Sequence, residues 1–316
     1  MNFVDDYGQG IYAIDSGFHR PVLDAVHLLV EGEHVALIDT ATNSCVTRVM
    51  EVLGKLQLEP EQVDYIVLTH VHLDHAGAAG KLMQLLPQAK LLVHPRGARH
   101  MADPAKLLAG TVAVYGRETT LHRYGELLPV PRKRIIEAQH GQTVRLNGRE
   151  LLLLDTPGHA RHHISIRDAR TGHIFSGDTF GLCYRELDRA GRRFVFPNTS
   201  PVQFDPVELH RSIDLLMEYQ PAAIYVTHFS QVTDVARLAA DLHRLIDAHV
   251  ELAMRVLTSG AARHQRLKAG VTAILLEEAA RQGWALQGEA LLQFMAMDIE
   301  LNAQGLGVWL DAKDRQ

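Results

Sequence analysis

Short apolar runs alternate with polar turns along the first 230 or so residues, and the spacing of the apolar positions separates strands from helices. Val26–Val30 and His34–Ile38 flank Glu31-Gly32-Glu33, and Thr143–Leu146 and Arg149–Leu154 flank Asn147-Gly148, a pair that accepts the left-handed backbone a tight hairpin demands. A third pair, His163–Arg167 and His173–Ser176, is joined by Asp168-Ala169-Arg170-Thr171-Gly172. Elsewhere the apolar spacing switches to three and four residues. Val46, Val49, Met50 and Leu53 follow it, as do Leu209, Ile213, Leu216 and Met217 behind the helix-start dipeptide Asp205-Pro206. Hairpins interleaved with amphipathic helices predict an α/β fold of two sheets packed face to face with helices outside.

From about residue 231 the pattern becomes helical throughout. Leu238, Leu242, Leu245, Ile246 and Val250 repeat at helical spacing within Val235–Ala253, and Val271–Ala280 and Ala290–Leu301 do likewise. The expected organisation is a core domain over 1–230 and a helical extension over 231–316. The apolar faces of that extension must be covered, by the core itself, across a cleft as a lid, or by a second copy in a homodimer.

The chemistry concentrates at strand ends. Thr69-His70-Val71-His72-Leu73-Asp74-His75-Ala76-Gly77 follows the apolar stretch Val63–Leu68 and sets three imidazoles and a carboxylate within six positions. Such groups hold zinc, iron or manganese near neutral pH. With 19 histidines in the chain, one cluster alone is weak evidence, but three later strand-like runs end in the same way. Leu151–Asp155 leads into Thr156-Pro157-Gly158-His159, His173–Ser176 into Gly177-Asp178, and Ala223–Thr227 into His228. Five histidines and two aspartates suffice for two metal positions sharing one carboxylate.

The order His-x-His-x-Asp-His, Thr-Pro-Gly-His, Gly-Asp and a final His resembles the metallo-β-lactamase superfamily over roughly residues 9 to 230, with all seven ligand positions filled. The resemblance implies an αββα sandwich of two mixed β-sheets with metals at one edge, and makes 1–230 the catalytic domain. It also implies that His70, His72 and His159 hold one metal, that Asp74, His75 and His228 hold a second, and that Asp178 bridges them. Asp39, closing Val35-Ala36-Leu37-Ile38, matches the aspartate that orients a ligand imidazole through its other nitrogen; a strand-end turn residue is an equal reading of it. Two divalent ions are expected, Zn2+ first, with Fe or Mn suited to the same ligands.

Two such ions would lower the pKa of a water between them from 15.7 to about 7, giving a bridging hydroxide without a protein base. Hydrolysis of a small ester, thioester or lactone is the leading expectation. Thr156–Ile164 and Gly177–Phe180 are similar to the glyoxalase II branch, which hydrolyses thioesters, whereas Gly181-Leu182-Cys183-Tyr184-Arg185-Glu186 departs from it. Asp74, Asp178 and Tyr184 are the candidate catalytic residues. Tyr184 would donate a hydrogen bond to a developing oxyanion and Arg185 would bind a substrate carboxylate or phosphate, with loop packing as the alternative for both. Other functions carried forward are a phosphodiesterase or phosphotriesterase, a metal-containing regulatory or binding protein whose tail blocks the site, and, ranked below these, iron redox chemistry. His94–His100 reads either as a lining of the cleft mouth that attracts an anionic substrate or, the favoured reading, as a solvated turn, and His162 and His163 read as structural hydrogen-bonding residues.

Charge and composition narrow the partners. A formal net charge of −5 offers no basic field for nucleic acid, so a small-molecule substrate is expected. No apolar stretch approaches the roughly 18 residues of a membrane span. Cys45 and Cys183 make no disulfide framework, and the opening Met1-Asn2-Phe3-Val4-Asp5-Asp6 lacks the charged-then-apolar order of an export signal, so a cytoplasmic location is expected.

Overall fold

Seven strands form the first sheet in chain order: β1 Val4–Asp6, β2 Ile11–Asp15, β3 Ala25–Glu31, β4 His34–Ile38, β5 Val63–Val67, β6 Lys90–Val93 and β7 Ile135–Glu137. The second sheet contains β8 Thr143–Leu146, β9 Arg149–Asp155, β10 Ile164–Asp168, β11 Ile174–Gly177, β12 Ile224–Val226 and β13 Ser230–Val232, ordered β13-β12-β11-β10-β9-β8. The computed structural model describes residues 3–199, 202–256 and 260–313; Met1 and Asn2, the head of the acidic opening, lie outside the described residues. Both sheets are mixed. β1 to β4 pair antiparallel and β4 to β7 parallel, while β11–β12 is the parallel pair of the second sheet.

The hairpins form where the turn residues placed them. Glu31 pairs with His34 across Gly32-Glu33, and Leu146 with Arg149 across Asn147 and Gly148, whose φ values of 47° and 86° are left-handed as a two-residue hairpin requires. Alternation along each strand then sorts side chains between layers. Leu28, Leu37, Ile66 and Leu91 point outward, whereas Leu29, Ile38, Val67 and Leu92 point inward to meet Leu151, Leu153, Ile164, Ile166 and Phe175 between the sheets.

The helices in chain order are α1 Val46–Lys55, α2 Leu73–Ala76, α3 Ala79–Leu85, α4 Pro95–Ala102, α5 Ala105–Tyr115, α6 Arg117–Tyr124, α7 Pro206–Glu218, α8 Val235–Arg255, α9 Gly260–Gln282, α10 Gly288–Phe294 and α11 Ala296–Lys313. α1, α3 and α4 cover the outer face of the first sheet through Val49, Leu53, Leu82 and Ala98. Against the second sheet, Ile174, Ile224 and Val226 share one core with Leu209 and Ile213 of α7, Leu238 and Leu242 of α8, Val271 and Leu275 of α9 and Leu306 of α11. This is the αββα sandwich with a helical C-terminal region, and the apolar faces of that region are buried in the same core as the second sheet.

Two expectations fail locally. His94–His100 is not a solvated turn: Pro95 at the first helical position and the His94 ring, which accepts from the Arg96 backbone N–H at 3.0 Å, start α4. Ala290–Leu301 is not one helix but two meeting at Met295, so Asp298 falls in the first turn of a new helix. No described helix is long and apolar enough to cross a membrane.

Candidate metal centre

Every proposed ligand lies just beyond the carboxyl end of a strand, on one edge of the sandwich. β5 ends at Val67, and the chain passes through Thr69 and His70 to His72, which precedes the single turn of α2 carrying Asp74 and His75. β9 runs into His159, β11 into Asp178 and β12 into His228. Two glycines hold these loops close. At Gly158 (φ 129°) a Cβ would lie 2.4 Å from the backbone of Leu209 in α7, and at Gly177 (φ 51°) it would lie 2.7 Å from Thr69 Oγ1.

The seven side chains converge. His70 Nε2 and His159 Nε2 lie 2.9 and 3.0 Å from His72 Nδ1. Across from them, Asp74 Oδ2 lies 3.7 Å from the Nε2 atoms of both His75 and His228. Asp178 stands between, with Oδ1 3.3 Å from His75 Nε2 and 3.6 Å from His228 Nε2, and Oδ2 3.5 Å from His159 Nε2. His70, His72 and His159 form one ligand group, Asp74, His75 and His228 another, and His70, His75 and Asp178 a third that joins them.

Contacts behind the ligands orient them. Asp39, buried and left-handed at φ 60°, accepts from His75 Nδ1 at 2.8 Å, from the Thr69 backbone N–H at 2.8 Å and from the Thr69 and Thr227 hydroxyls. His228 Nδ1 donates to the Leu23 carbonyl at 2.9 Å and His159 Nδ1 to that of Asn198 at 3.3 Å. Each of these bonds turns Nε2 of its imidazole inward as a free lone pair. Asn198 Nδ2 donates to Asp178 Oδ2 at 2.9 Å, and the Asp178 backbone N–H donates to His163 Nε2 at 3.2 Å.

Electrostatics match a cation site. Burial pushes His70, His72 and His159 below the ordinary histidine range, so they are neutral and ready to coordinate. His75 departs the other way: burial opposes its charge, but Asp178, Asp74 and Asp39 outweigh burial and raise it well above the usual value. Burial likewise disfavours charge on Asp178, yet His75, His228 and His159 hold it well below the carboxylate range. Positive charge belongs at the centre of this cage. His75 Nε2 and Asp178 Oδ1 are buried and face each other at 3.3 Å with no other hydrogen-bond partner among the described residues, so a cation between them would take the place of that contact. The nitrogen and oxygen donor set therefore fits divalent ions.

Tyr184 and Arg185 are placed differently from the expected substrate contacts. The Tyr184 ring is buried and its hydroxyl donates to Asp298 of α11 at 2.9 Å. Arg185 reaches the Gln231 carbonyl at 3.3 Å and lies over the Phe229 ring. The Tyr184 hydroxyl is thus engaged inside the fold, while Arg185 Nη1 is buried without a hydrogen-bond partner among the described residues. Thr69 and Thr227 were missed by sequence reasoning, although each precedes a ligand histidine at a strand end, a repeated Thr-His pair that could have drawn notice. Asn198, Asp298 and Asn302 carried no signal, because nothing local links them to the histidines.

The sequence profile of the metallo-beta-lactamase superfamily matches residues 21–228. A metallo-beta-lactamase fold-containing protein of Sulfurisphaera tokodaii, ST1585, is 28% identical over 225 residues, covering 70% of this chain and 78% of that one. The solved structure of ST1585 from Sulfolobus tokodaii superimposes with a TM-score of 0.63 at 22% identity, over 94% of this chain and 98% of that one. A hydroxyacylglutathione hydrolase of Xanthomonas campestris pv. campestris is 28% identical over 142 residues, 45% of this chain and 40% of its own length. The structure titled as a peroxy diiron species of the chemotaxis sensor ODP shares the fold, with a TM-score of 0.54 at 14% identity over 76% of this chain and 93% of that one. With a match spanning well over half its length, the chain belongs to the metallo-beta-lactamase superfamily.

Proposed function

We propose that this protein is a dinuclear metal-dependent hydrolase of small esters, thioesters or lactones. The observation that carries the reading is Asp178, whose two carboxylate oxygens face different halves of the cluster, Oδ1 toward His75 and His228 and Oδ2 toward His159. His70, His72 and His159 would hold one ion and Asp74, His75 and His228 the other, with Asp178 shared. Divalent ions bound there would supply Lewis acidity and an ionised water near neutral pH. Zn2+ is the first candidate, and the same donors suit Fe or Mn. The chain's own part is to fix the ligands: Asp39 sets the tautomer of His75, the Asn198 carbonyl sets that of His159, and burial keeps His70 and His72 neutral.

Acyl chemistry is favoured by the similarity to hydroxyacylglutathione hydrolases, which covers 45% of this chain and 40% of the relative's own length. Entry to the site is supported by Asp74, whose side chain is 28% exposed, and by the half-buried His72; this weighs against a tail that seals the cleft. Phosphodiester hydrolysis is a second reading, favoured by a neighbouring cavity of about 950 Å³ where Arg96, Arg99, Arg161 and His162 stand together with the carboxylates Asp155, Asp205 and Glu208. The His162 ring packs 5.8 Å from that of His72, and none of the three arginines forms an ion pair among the described residues.

Metal-quantified protein assayed on p-nitrophenyl acetate, a thioester, a lactone and bis-p-nitrophenyl phosphate, with and without chelator, tests these readings. About two equivalents of metal and chelator-sensitive acyl turnover are expected, with Asp178→Ala inactive. A folded protein holding at most one equivalent, or an Asp178→Ala variant at wild-type rate, would sink the dinuclear reading. Phosphodiester turnover alone would favour the second.

A further inference from the structure

We propose that Asn302, on the C-terminal helix α11, is a positioning residue of the metal centre that acts through Asn198. The inference rests on the reading of His159 and Asp178 as metal ligands. Asn302 is buried, and its carboxamide grips the segment on both sides of Asn198: Oδ1 accepts from the Thr199 backbone N–H at 2.8 Å, and Nδ2 donates to the Pro197 carbonyl at 3.2 Å. The Thr199 hydroxyl returns a third bond to the Asn302 carbonyl at 3.2 Å. This segment lies outside any strand, just past the isolated bridge between Phe196 and Leu182, and one side chain from a helix 103 residues along the chain holds its backbone.

What the clamp holds is the residue that touches two ligands at once. Asn198 Nδ2 donates to Asp178 Oδ2 at 2.9 Å, the oxygen that faces His159, and the Asn198 carbonyl accepts from His159 Nδ1 at 3.3 Å. The first contact sets the rotation of the shared carboxylate. The second keeps the His159 proton on Nδ1 and its lone pair inward. A shift of the Pro197–Thr199 backbone would loosen both together, because one residue supplies both bonds through atoms fixed to the same backbone unit. One turn earlier on α11, Asp298 accepts from the Tyr184 hydroxyl at 2.9 Å, which seats this end of the helix against the same edge. The extension is thereby part of the scaffold of the metal centre rather than a separate appendage.

The test is Zn2+ affinity of the full-length chain, measured by competition with a chromophoric chelator, together with the visible spectrum of the Co2+ form. Loss of a partner behind a ligand typically weakens metal binding about 10–100-fold. Asn302→Ala is expected to weaken Zn2+ binding about 10-fold and to alter the Co2+ spectrum. Asn198→Ala keeps the backbone carbonyl that holds His159 and loses only the bond to Asp178, so it should also weaken binding, and adding Asn302→Ala should weaken it further but by less than the two single losses summed, since both act through one residue. Asn302→Ser, which keeps an oxygen for the Thr199 N–H, should fall between and serves if the alanine variant does not fold. Leu306→Ala, which loosens α11 without touching Pro197–Thr199, should leave affinity unchanged. Wild-type affinity in Asn302→Ala, additive losses in the double variant, or an equal loss in Leu306→Ala would each overturn the proposal. Folded wild-type chain that binds no Zn2+ and no Co2+ would instead overturn the metal reading beneath it.

Discussion

Asp39→Asn exchanges one oxygen for an NH2 group at the point where four donors meet. Asp39 accepts from the Thr69 N–H, the Thr69 and Thr227 hydroxyls and His75 Nδ1, and is 1% exposed. Asparagine tolerates the left-handed φ of 60° found here, so the backbone has no reason to move. Its remaining oxygen is drawn to the Thr69 N–H, which has no acceptor role to offer, and its NH2 then faces His75 Nδ1. That nitrogen must become the acceptor, which moves the imidazole proton to Nε2, where it points into the ligand cage. The expected cost is about 10–100-fold in affinity for the ion held by Asp74, His75 and His228, or about 1.4–2.8 kcal/mol, with the His70, His72 and His159 position little changed. Titrating metal-free protein with Zn2+ against a competing chelator should resolve one weakened and one normal site, and nitrogen NMR of the His75 ring in the Zn2+-loaded form should report whether Nδ1 still carries its proton. A folded variant with both affinities at wild-type values would refute the account of Asp39 as the residue that orients His75.

Three further outcomes are expected. Arg149 and Asp168 form a fully buried bidentate pair at 3.0 and 2.6 Å, so Arg149→Met should cost about 3–5 kcal/mol in urea unfolding by stranding the carboxylate; a loss below about 1 kcal/mol would contradict the pair's role. Burial raises the Asp298 carboxyl to about 6 from an ordinary 3.8, so its folded form resists ionisation and the protein loses stability as pH rises through that value. Asparagine at this position keeps an acceptor for Tyr184, and the stability gain of Asp298→Asn over wild type should therefore widen by about 2–3 kcal/mol between pH 4 and pH 8, a constant gap excluding the effect. Because the apolar faces of α8, α9 and α11 are spent inside one core, sedimentation velocity at micromolar concentration should give a monomer, and a dimer would reveal an interface the buried core does not require.

The residues of the candidate metal centre were legible in the chain because strand ends carry short, dense motifs. His70, His72, Asp74 and His75 sit on one loop and one helical turn, and His159, Asp178 and His228 each close an apolar run, so local spacing alone displays them. Hairpin turns and amphipathic periods were legible for the same reason, since a two-residue turn and a 3.6-residue period act within a few positions. Tyr184 and Arg185 looked like substrate contacts because sequence shows only their distance from Asp178. In the fold they meet Asp298 and the Gln231 carbonyl, which come from 114 and 46 residues away. The helix break at Met295 was likewise hidden, because Ala290–Leu301 keeps a helical apolar spacing through it. Local pattern thus determined which elements form and which side chains can bind metal. The tertiary fold decided what stands behind each ligand: Asp39, Asn198 and Asn302 meet the histidines only after two sheets and the C-terminal helices bury apolar faces against one another, and burial of that kind sets distances no local spacing encodes.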